Sequence, residues 1–278
     1  MSSIAAREIS GGEYGSQSMK IAIEDALRTQ GIAILPPMDV QESIGLLKKV
    51  GIRPTTTILD PWYNKGFGGV RSDYKDYIQR ILAETAGLSD HAYLWGFPEI
   101  VAFFVDHLPE PFHLVAWLTW YYKNNPSVIR GWRSAQMACL HLSRPGAKLY
   151  PEHFLNDVQK EKLAAGKLRY MPGPTSVIEA SLNIGFVGRK EQTGHPAQKP
   201  LTVFKPLIEM TTKPGDVLFD PMSGSGTTAD AAKQLGRCAI ICDHSEEYTA
   251  IAERRLNTPR LTNVYPSKNW DPAHTPTV

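Results

Sequence analysis

Phe219-Asp220-Pro221-Met222-Ser223-Gly224-Ser225-Gly226-Thr227-Thr228 carries a strand end, an acidic turn and two closely spaced glycines into what reads as a helix start. The run Asp216-Val217-Leu218-Phe219 is short and apolar and follows the turn residues Lys213-Pro214-Gly215, which predicts a buried strand. Gly224 and Gly226 lack a Cβ, so the backbone can turn tightly and a ligand can lie against it. From Thr227 an Ala-rich segment runs to Gly236, a helix with its C-cap, whose first free N–H groups face the loop. Cys238 to Cys242 form a second apolar strand ending at Asp243, about twenty residues past the glycines, where a carboxylate can accept from ribose hydroxyls. Ser245 and Glu246 open a further helix through about Leu256. A glycine turn alone also reads as a plain tight connection. Strand, glycine turn, helix, strand and acid together read as one half of a doubly wound sheet with a nucleotide-cofactor pocket. The spacing is GxG without a third glycine, and Asp220-Pro221 precedes the turn, so the nicotinamide fingerprint is not matched.

Upstream, Asp60-Pro61-Trp62-Tyr63 follows the β-branched run Thr55-Thr56-Thr57-Ile58-Leu59. A carboxylate and two aromatics thus stand at a strand's carboxyl end, where ligands bind in open α/β sheets. On residue type alone, Asp-Pro after a strand usually reads as just a turn, and its partnership with the glycine motif is what makes it a site. As a site, the carboxylate accepts from an amino group and Tyr63 or Trp62 stacks on a planar base, worth roughly 1–3 kcal/mol per base. The following Asn64-Lys65-Gly66-Phe67-Gly68-Gly69 is glycine-rich and suited to closing over a substrate.

The 278 residues, 42% of them apolar, suffice for one α/β domain with insertions. No run is long and apolar enough to span a bilayer, and no charged-then-apolar leader opens the sequence, so the cytoplasm is the expected location. Cys139, Cys238 and Cys242 form no CxxC pair and read as reduced thiols. The histidines are scattered singly, so no metal site is expected. A net charge of +2 does not by itself announce a nucleic-acid partner. Lys123, Arg130 and Arg133, however, lie among Trp117, Trp120, Tyr121, Tyr122 and Trp132, a mixture suited to a DNA-facing cleft, or else to a charged face over an aromatic core.

Helical periodicity covers Lys20–Arg28, Val40–Val50, Arg71–Ala86 and about Glu99 to His107. Ala92–Trp95, His113–Trp117 and Gln136–Leu142 read as strands. The alternation predicts a mostly parallel, doubly wound α/β sheet. Residues 1–18 are Ser/Gly-rich and expected to be mobile, with a tail after 260. Between 148 and 174 periodicity weakens and Pro, Gly, Lys and Glu accumulate, as in an insertion.

In order and content these motifs resemble the beta group of amino-directed DNA methyltransferases that use S-adenosylmethionine. In that group a D/S-P-P-Y/F tetrapeptide precedes the cofactor motif, as Asp60-Pro61-Trp62-Tyr63 precedes Phe219–Thr228. A third block, Gly194-His195-Pro196-Ala197-Gln198-Lys199-Pro200, is similar to the family's GHPTQKP segment. The matches span about residue 55 to residue 256. The resemblance implies a Rossmann-like sheet of the seven-stranded type, with 19–147 as the catalytic half, 148–174 as a short target-recognition insertion and 175–260 as the cofactor half. It implies S-adenosylmethionine held by Phe219, Asp220, Pro221, Ser223 to Thr228 and Asp243, with His195, Gln198, Lys199 and Pro200 at its methionine end. Catalysis falls to Asp60, Pro61, Trp62 and Tyr63, acting on a flipped base of DNA, and Lys65, Lys123, Arg130 and Arg133 are candidate DNA contacts. An initial Asp is commoner in adenine-N6 members and an initial Ser in cytosine-N4 members, so Asp60 favours adenine. Cytosine-N4 transfer, an RNA or protein amide substrate, and a catalytically idle DNA-binding scaffold are the alternatives. Family members often dimerise. Trp62 departs from the family's proline, and is expected to pack back into the core rather than wall the base pocket.

Overall fold

A computed structural model describes residues 11–64, 69–125, 128–129 and 131–262. Ten strands and eight α-helices alternate among the described residues: α1 Gly11–Gln30, β1 Ile32–Ile34, α2 Val40–Val50, β2 Thr56–Leu59, α3 Tyr74–Ala86, β3 His91–Gly96, α4 Pro98–Val105, β4 His113–Tyr121, β5 Val128–Ile129, β6 Trp132–Arg133, β7 Gln136–Ser143, α5 Asp157–Ala164, β8 Val177–Glu179, α6 Leu201–Thr211, β9 Val217–Asp220, α7 Thr227–Gln234, β10 Cys238–Ile241 and α8 Glu246–Leu256. Eight of the strands form one sheet in the order β1-β10-β9-β2-β3-β7-β4-β8, and β5 pairs with β6 as a separate ribbon. Strands β1, β10, β9, β2 and β3 are parallel, β7 runs antiparallel to both β3 and β4, and β8 lies parallel to β4. The parallel, doubly wound expectation is met, with one strand more than the seven-stranded type because Val177–Glu179 pairs onto Thr119–Tyr121.

Both faces are covered, as a parallel sheet requires. Successive residues of each strand enter opposite cores: Ile240 and Cys242 pack with Met19, Ile23, Ile44 and Ile81 from α1 to α3, while Ala239 and Ile241 pack with Phe204, Ala232 and Leu256 from α6 to α8. This period of two is what a strand backbone imposes on its side chains. Helix α2 begins at a capping box in which Asp39 accepts from the Gln41 N–H and Glu42 returns a bond to the Asp39 N–H, and it ends on Gly51 at φ +70.

Of residues 1–18, expected to be mobile, 1–10 lie outside the described residues, whereas 11–18 form the first turns of α1, which begins at Gly11. Its inner turns are held by Met19, Ile23 and Ala26, all buried. The insertion 148–174 carries a 3-10 turn, Pro151–Phe154, and α5, which has no buried residue. The Tyr150 N–H donates to the Met210 carbonyl and His153 Nδ1 lies 2.8 Å from the Glu209 carbonyl, so the insertion is pinned at α6.

Candidate active site

Strands β10, β9 and β2 are neighbours and parallel, so their carboxyl ends open on one edge of the sheet. Each ends in an acid: Asp243 just past β10, Asp220 as the last residue of β9, and Asp60 just past β2. Three carboxylates from sequence-distant segments are thereby gathered at one sheet edge. That edge is where open α/β sheets bind ligands.

The glycine loop is built from both sides. Gly224 has φ +48 and Gly226 φ +75, conformations that favour glycine. A Cβ on Gly224 would stand 2.9 Å from His195 Nε2, so the imidazole lies directly over the loop. That ring meets Tyr248 edge-on at 4.3 Å, and burial holds its pKa below the usual imidazole range. Behind the loop, a Cβ on Gly226 would meet Ala252 at 3.1 Å, so α8 packs against it. Asp243 accepts from the Gly224 N–H through one oxygen and from the Ser245 N–H through the other, both at 2.9 Å. A carboxylate offers about four acceptor positions, so capacity remains for two hydroxyls. Asp220 accepts from the Thr228 hydroxyl at 2.5 Å and the Met222 N–H at 3.0 Å. Burial raises it from the ordinary 3.8 to about 7, against the lowering effect of those two bonds.

At the other end of the groove, the Lys199 ammonium donates to both oxygens of Asp60 and, at 2.8 Å, to the Tyr63 hydroxyl. The Lys199 side chain is 2% exposed and that of Asp60 19%. Burial alone would lower the lysine pKa, but Asp60 and Tyr63 together raise it above the ordinary value. Tyr63 is pushed up to about 12, chiefly by burial and then by the Asp60 charge. Its ring packs on Phe97 at 4.9 Å, and its hydroxyl reaches Met137 Sδ at 3.7 Å. Trp62 turns the other way, edge-on to Tyr74 at 5.2 Å and tilted against Tyr77 at 5.8 Å, while its indole N–H donates to the Gly69 carbonyl at 3.3 Å. The Tyr74 hydroxyl in turn donates to the Trp62 carbonyl at 2.7 Å. Asn64, at φ +53, bonds the Arg71 backbone through both its amide oxygen and its amide nitrogen, pinching the base of the glycine-rich segment.

The sequence-predicted residues divide accordingly. Asp60, Pro61 and Tyr63 gather on the β2 side, and Asp220, Gly224, Gly226, Asp243 and His195 on the β9–β10 side. Phe219 is wholly buried in the core, and the Thr228 hydroxyl is spent on Asp220. Ser225 and Thr227 turn inward to Arg255, whose Nη1 lies 3.3 Å from the Ser225 hydroxyl and 2.8 Å from that of Thr227. Gln198 uses its amide locally, accepting from the Thr193 N–H and donating to the Glu191 carbonyl, and Pro200 caps α6. Lys199, expected at the methionine end of a cofactor, stands instead on Asp60. Lys123 pairs with Glu179 at 2.6 Å on the surface, and Arg133 lies on exposed β6 beside Trp132, which is 86% exposed. Trp120 and Tyr122 are core residues, so the aromatic cluster is split between interior and surface. Lys65 and Arg130 lie outside the described residues. Sequence reading missed Arg255 and the Lys199–Asp60 pair, since nothing in spacing links positions 139 residues apart. Among the described residues no group of three or more His, Cys, Asp or Glu could hold a metal ion, and no helix is long and apolar enough to cross a membrane.

A mixed sheet of this order with an acid-glycine loop after β9 and an acid closing β10 defines a Rossmann-like methyltransferase fold. A family model described as DNA methylase, the N6/N4 type, matches residues 56–254, and the chain belongs to that family. It is 46% identical over 69 residues to the type II methyltransferase M2.DpnII of Streptococcus pneumoniae, a match covering 25% of this chain and 26% of that protein. To the type II methyltransferase M.HpaI of Haemophilus parainfluenzae it is 27% identical over 148 residues, covering 51% and 45%. The chain therefore spans less than half the length of these relatives in the matched regions. Among solved structures, the fold resembles M1.HpyAVI in its complex with SAM (TM-score 0.64, 23% identity, covering 81% of this chain and 99% of that one). It also resembles the cytosine-N4-specific PvuII DNA methyltransferase (TM-score 0.56, 16% identity, covering 84% and 91%).

Proposed function

We propose that the chain transfers a methyl group from S-adenosylmethionine to the exocyclic N6 of adenine in DNA. The observation that carries this reading is the line of Asp243, Asp220 and Asp60 across three adjacent strand ends. The residues present suit the cofactor: Asp243 keeps acceptor capacity for ribose hydroxyls, the glycine loop offers bare backbone, and the buried Asp220 favours a cationic neighbour. When bound, the cofactor supplies an electrophilic methyl group on a sulfonium.

The rest falls to the chain. A base stacked in a duplex cannot reach the groove, so it must be extruded, at a cost of a few kcal/mol. Tyr63, packed on Phe97, supplies a ring for stacking. Asp60 accepts a hydrogen bond from the amino group and, with the Pro61 carbonyl, directs the nitrogen lone pair at the methyl carbon. Positioning of that kind supplies much of the rate. The carboxylate also stabilises the positive charge that develops on nitrogen as the N–C bond forms and the C–S bond breaks; the nitrogen then releases one proton to solvent, and a neutral thioether is the leaving group. The Trp62 ring is occupied with Tyr74 and Tyr77, which leaves the pocket to Asp60, Pro61 and Tyr63; the choice of adenine rests on the initial Asp, commoner in adenine-N6 members of the family. Arg133 and Trp132 on β6 are proposed DNA contacts, together with Lys123, whose solvent-exposed pair with Glu179 is weak and readily exchanges for phosphate. The insertion at 148–174 is the proposed recognition element, and its small size suits a brief target sequence.

The test is incubation with unmethylated DNA and labelled S-adenosylmethionine, digestion to nucleosides and mass spectrometry. N6-methyladenine is the expected product; N4-methylcytosine would overturn the base assignment, and no label in DNA would overturn the reading. Asp60→Ala should abolish transfer while calorimetry finds cofactor affinity nearly unchanged, because that carboxylate faces the base.

A further inference from the structure

We propose that Lys199 is a positioning residue for the transfer step: its ammonium holds the Asp60 carboxylate and the Tyr63 hydroxyl in one fixed arrangement from beneath. The inference rests on the methyltransferase reading above. An ammonium has three donors, and all three are used here, on the two Asp60 oxygens and the Tyr63 oxygen. The Trp95 and Tyr63 rings stand 5.3 and 5.4 Å from the nitrogen, within cation–π range.

The side from which Lys199 approaches separates a brace from a plug. Its side chain is 2% exposed whereas that of Asp60 is 19% exposed, so the lysine comes from the interior and the open face of the carboxylate is left to the cleft. With about four acceptor positions on a carboxylate, an amino group can still be received while the lysine remains bound. Lys199 is itself held firmly. Glu191 accepts the Leu201 N–H at 3.1 Å, and Gln198 ties Thr193 and the Glu191 carbonyl, so the chain on both sides of Lys199 is fixed. The same short segment places His195 over Gly224, four residues before Lys199. One segment therefore touches the cofactor loop at one end and the catalytic carboxylate at the other.

The experiment compares Lys199→Met and Lys199→Arg with wild type for kcat, KM for DNA and calorimetric Kd for S-adenosylmethionine, with melting curves to verify folding. Lys199→Met should lose about 100-fold in kcat, the scale of a misplaced reacting group. Cofactor Kd and DNA KM should stay within about threefold of wild type. Lys199→Arg, which keeps a cation, should recover part of kcat, an effect that a merely space-filling residue would not show. An unchanged or raised kcat in Lys199→Met would overturn the proposal, as would a loss of cofactor affinity matching the loss of rate. Should Lys199→Met not fold, Lys199→Arg and the side-chain NMR signal decide. The buried ammonium should give a slowly exchanging 15N-correlated signal in wild type that disappears in Asp60→Asn; its persistence there would overturn the proposal without any turnover being measured. A wild-type protein that binds cofactor and labels no DNA would instead reject the underlying reaction, whatever the ammonium signal shows.

Discussion

Asp220 sits at the end of β9 with its carboxyl 3% exposed as a residue and its pKa raised by burial to about 7. The unfolded chain releases that proton near the ordinary 3.8, so between about pH 4 and 7 the native state binds more protons than the unfolded one. Stability should therefore fall as pH rises through that window and level off above it, by up to about 4 kcal/mol from this group. Asp220→Asn should flatten that slope in urea titrations at several pH values and weaken cofactor binding at pH 8; an unaltered slope would refute the assignment. Cofactor affinity of the wild type should rise with pH through about 7, because a sulfonium favours the ionised carboxylate. Gly224 gives a second residue-scale test. Gly224→Ala places a methyl 2.9 Å from His195 Nε2 at φ +48, so the imidazole must move off the loop. We expect at least about tenfold weaker cofactor binding by calorimetry with a destabilisation of about 1–2 kcal/mol. At this scale the sequence was legible where chemistry is local: the glycines, Asp220 and Asp243 declare themselves by spacing. Lys199 does not, because its partner arrives through the pairing of β2 with β9 and no local pattern records that.

Helix α8 does more than cover the sheet. Its Arg255 side chain is 7% exposed and pairs with Asp230 of α7 at 3.0 Å while reaching Ser225 and Thr227 in the loop; its Nη2 has no hydrogen-bond partner among the described residues. Two helices and the glycine loop are thereby tied at one guanidinium. Replacing it by Met should cost about 1–3 kcal/mol, since the buried hydroxyls of Ser225 and Thr227 lose their donor and the partly exposed Asp230 its counter-charge. Cofactor Kd should weaken as well, through the loosened loop; melting and calorimetry on one variant test both, and unchanged Kd would confine Arg255 to stability. The helices with clean periodicity, α2, α3 and α8, were legible nearly to their ends. Helix α6 was not, because Pro206 stands within it and a mid-helix proline disfavours a helix by about 3 kcal/mol. Burial of Val203, Phe204, Leu207 and Ile208 overrides that preference. Strand β1 escaped because Ile32-Ala33-Ile34 is only three residues long, and the reversed direction of β7 escaped because alternation of side chains carries no sense of direction.

Across the whole molecule, the two halves drawn from sequence are not separate bodies: β2 of the catalytic half lies between β3 of that half and β9 of the cofactor half. Each core cluster likewise takes residues from both, Leu59 with Phe219 and Ile240 on one face and Trp95 with Phe204 and Leu218 on the other. A sheet interleaved in this way cannot lose one half and keep the other packed, so unfolding should be cooperative. Five of the six tryptophans lie between residues 62 and 132, in the catalytic half, whereas the glycine loop and Asp243 lie in the other half. Tryptophan fluorescence and far-UV circular dichroism should therefore report one coincident urea transition. Adding S-adenosylmethionine at about 100 times its Kd should then shift the tryptophan-reported transition by the full linkage energy, about 2.7 kcal/mol, although the residues proposed to hold it, the glycine loop and Asp243, include no tryptophan. A fluorescence midpoint that ignores the cofactor while a dichroism midpoint moves would mean that the halves unfold independently, contrary to the interleaved strand order.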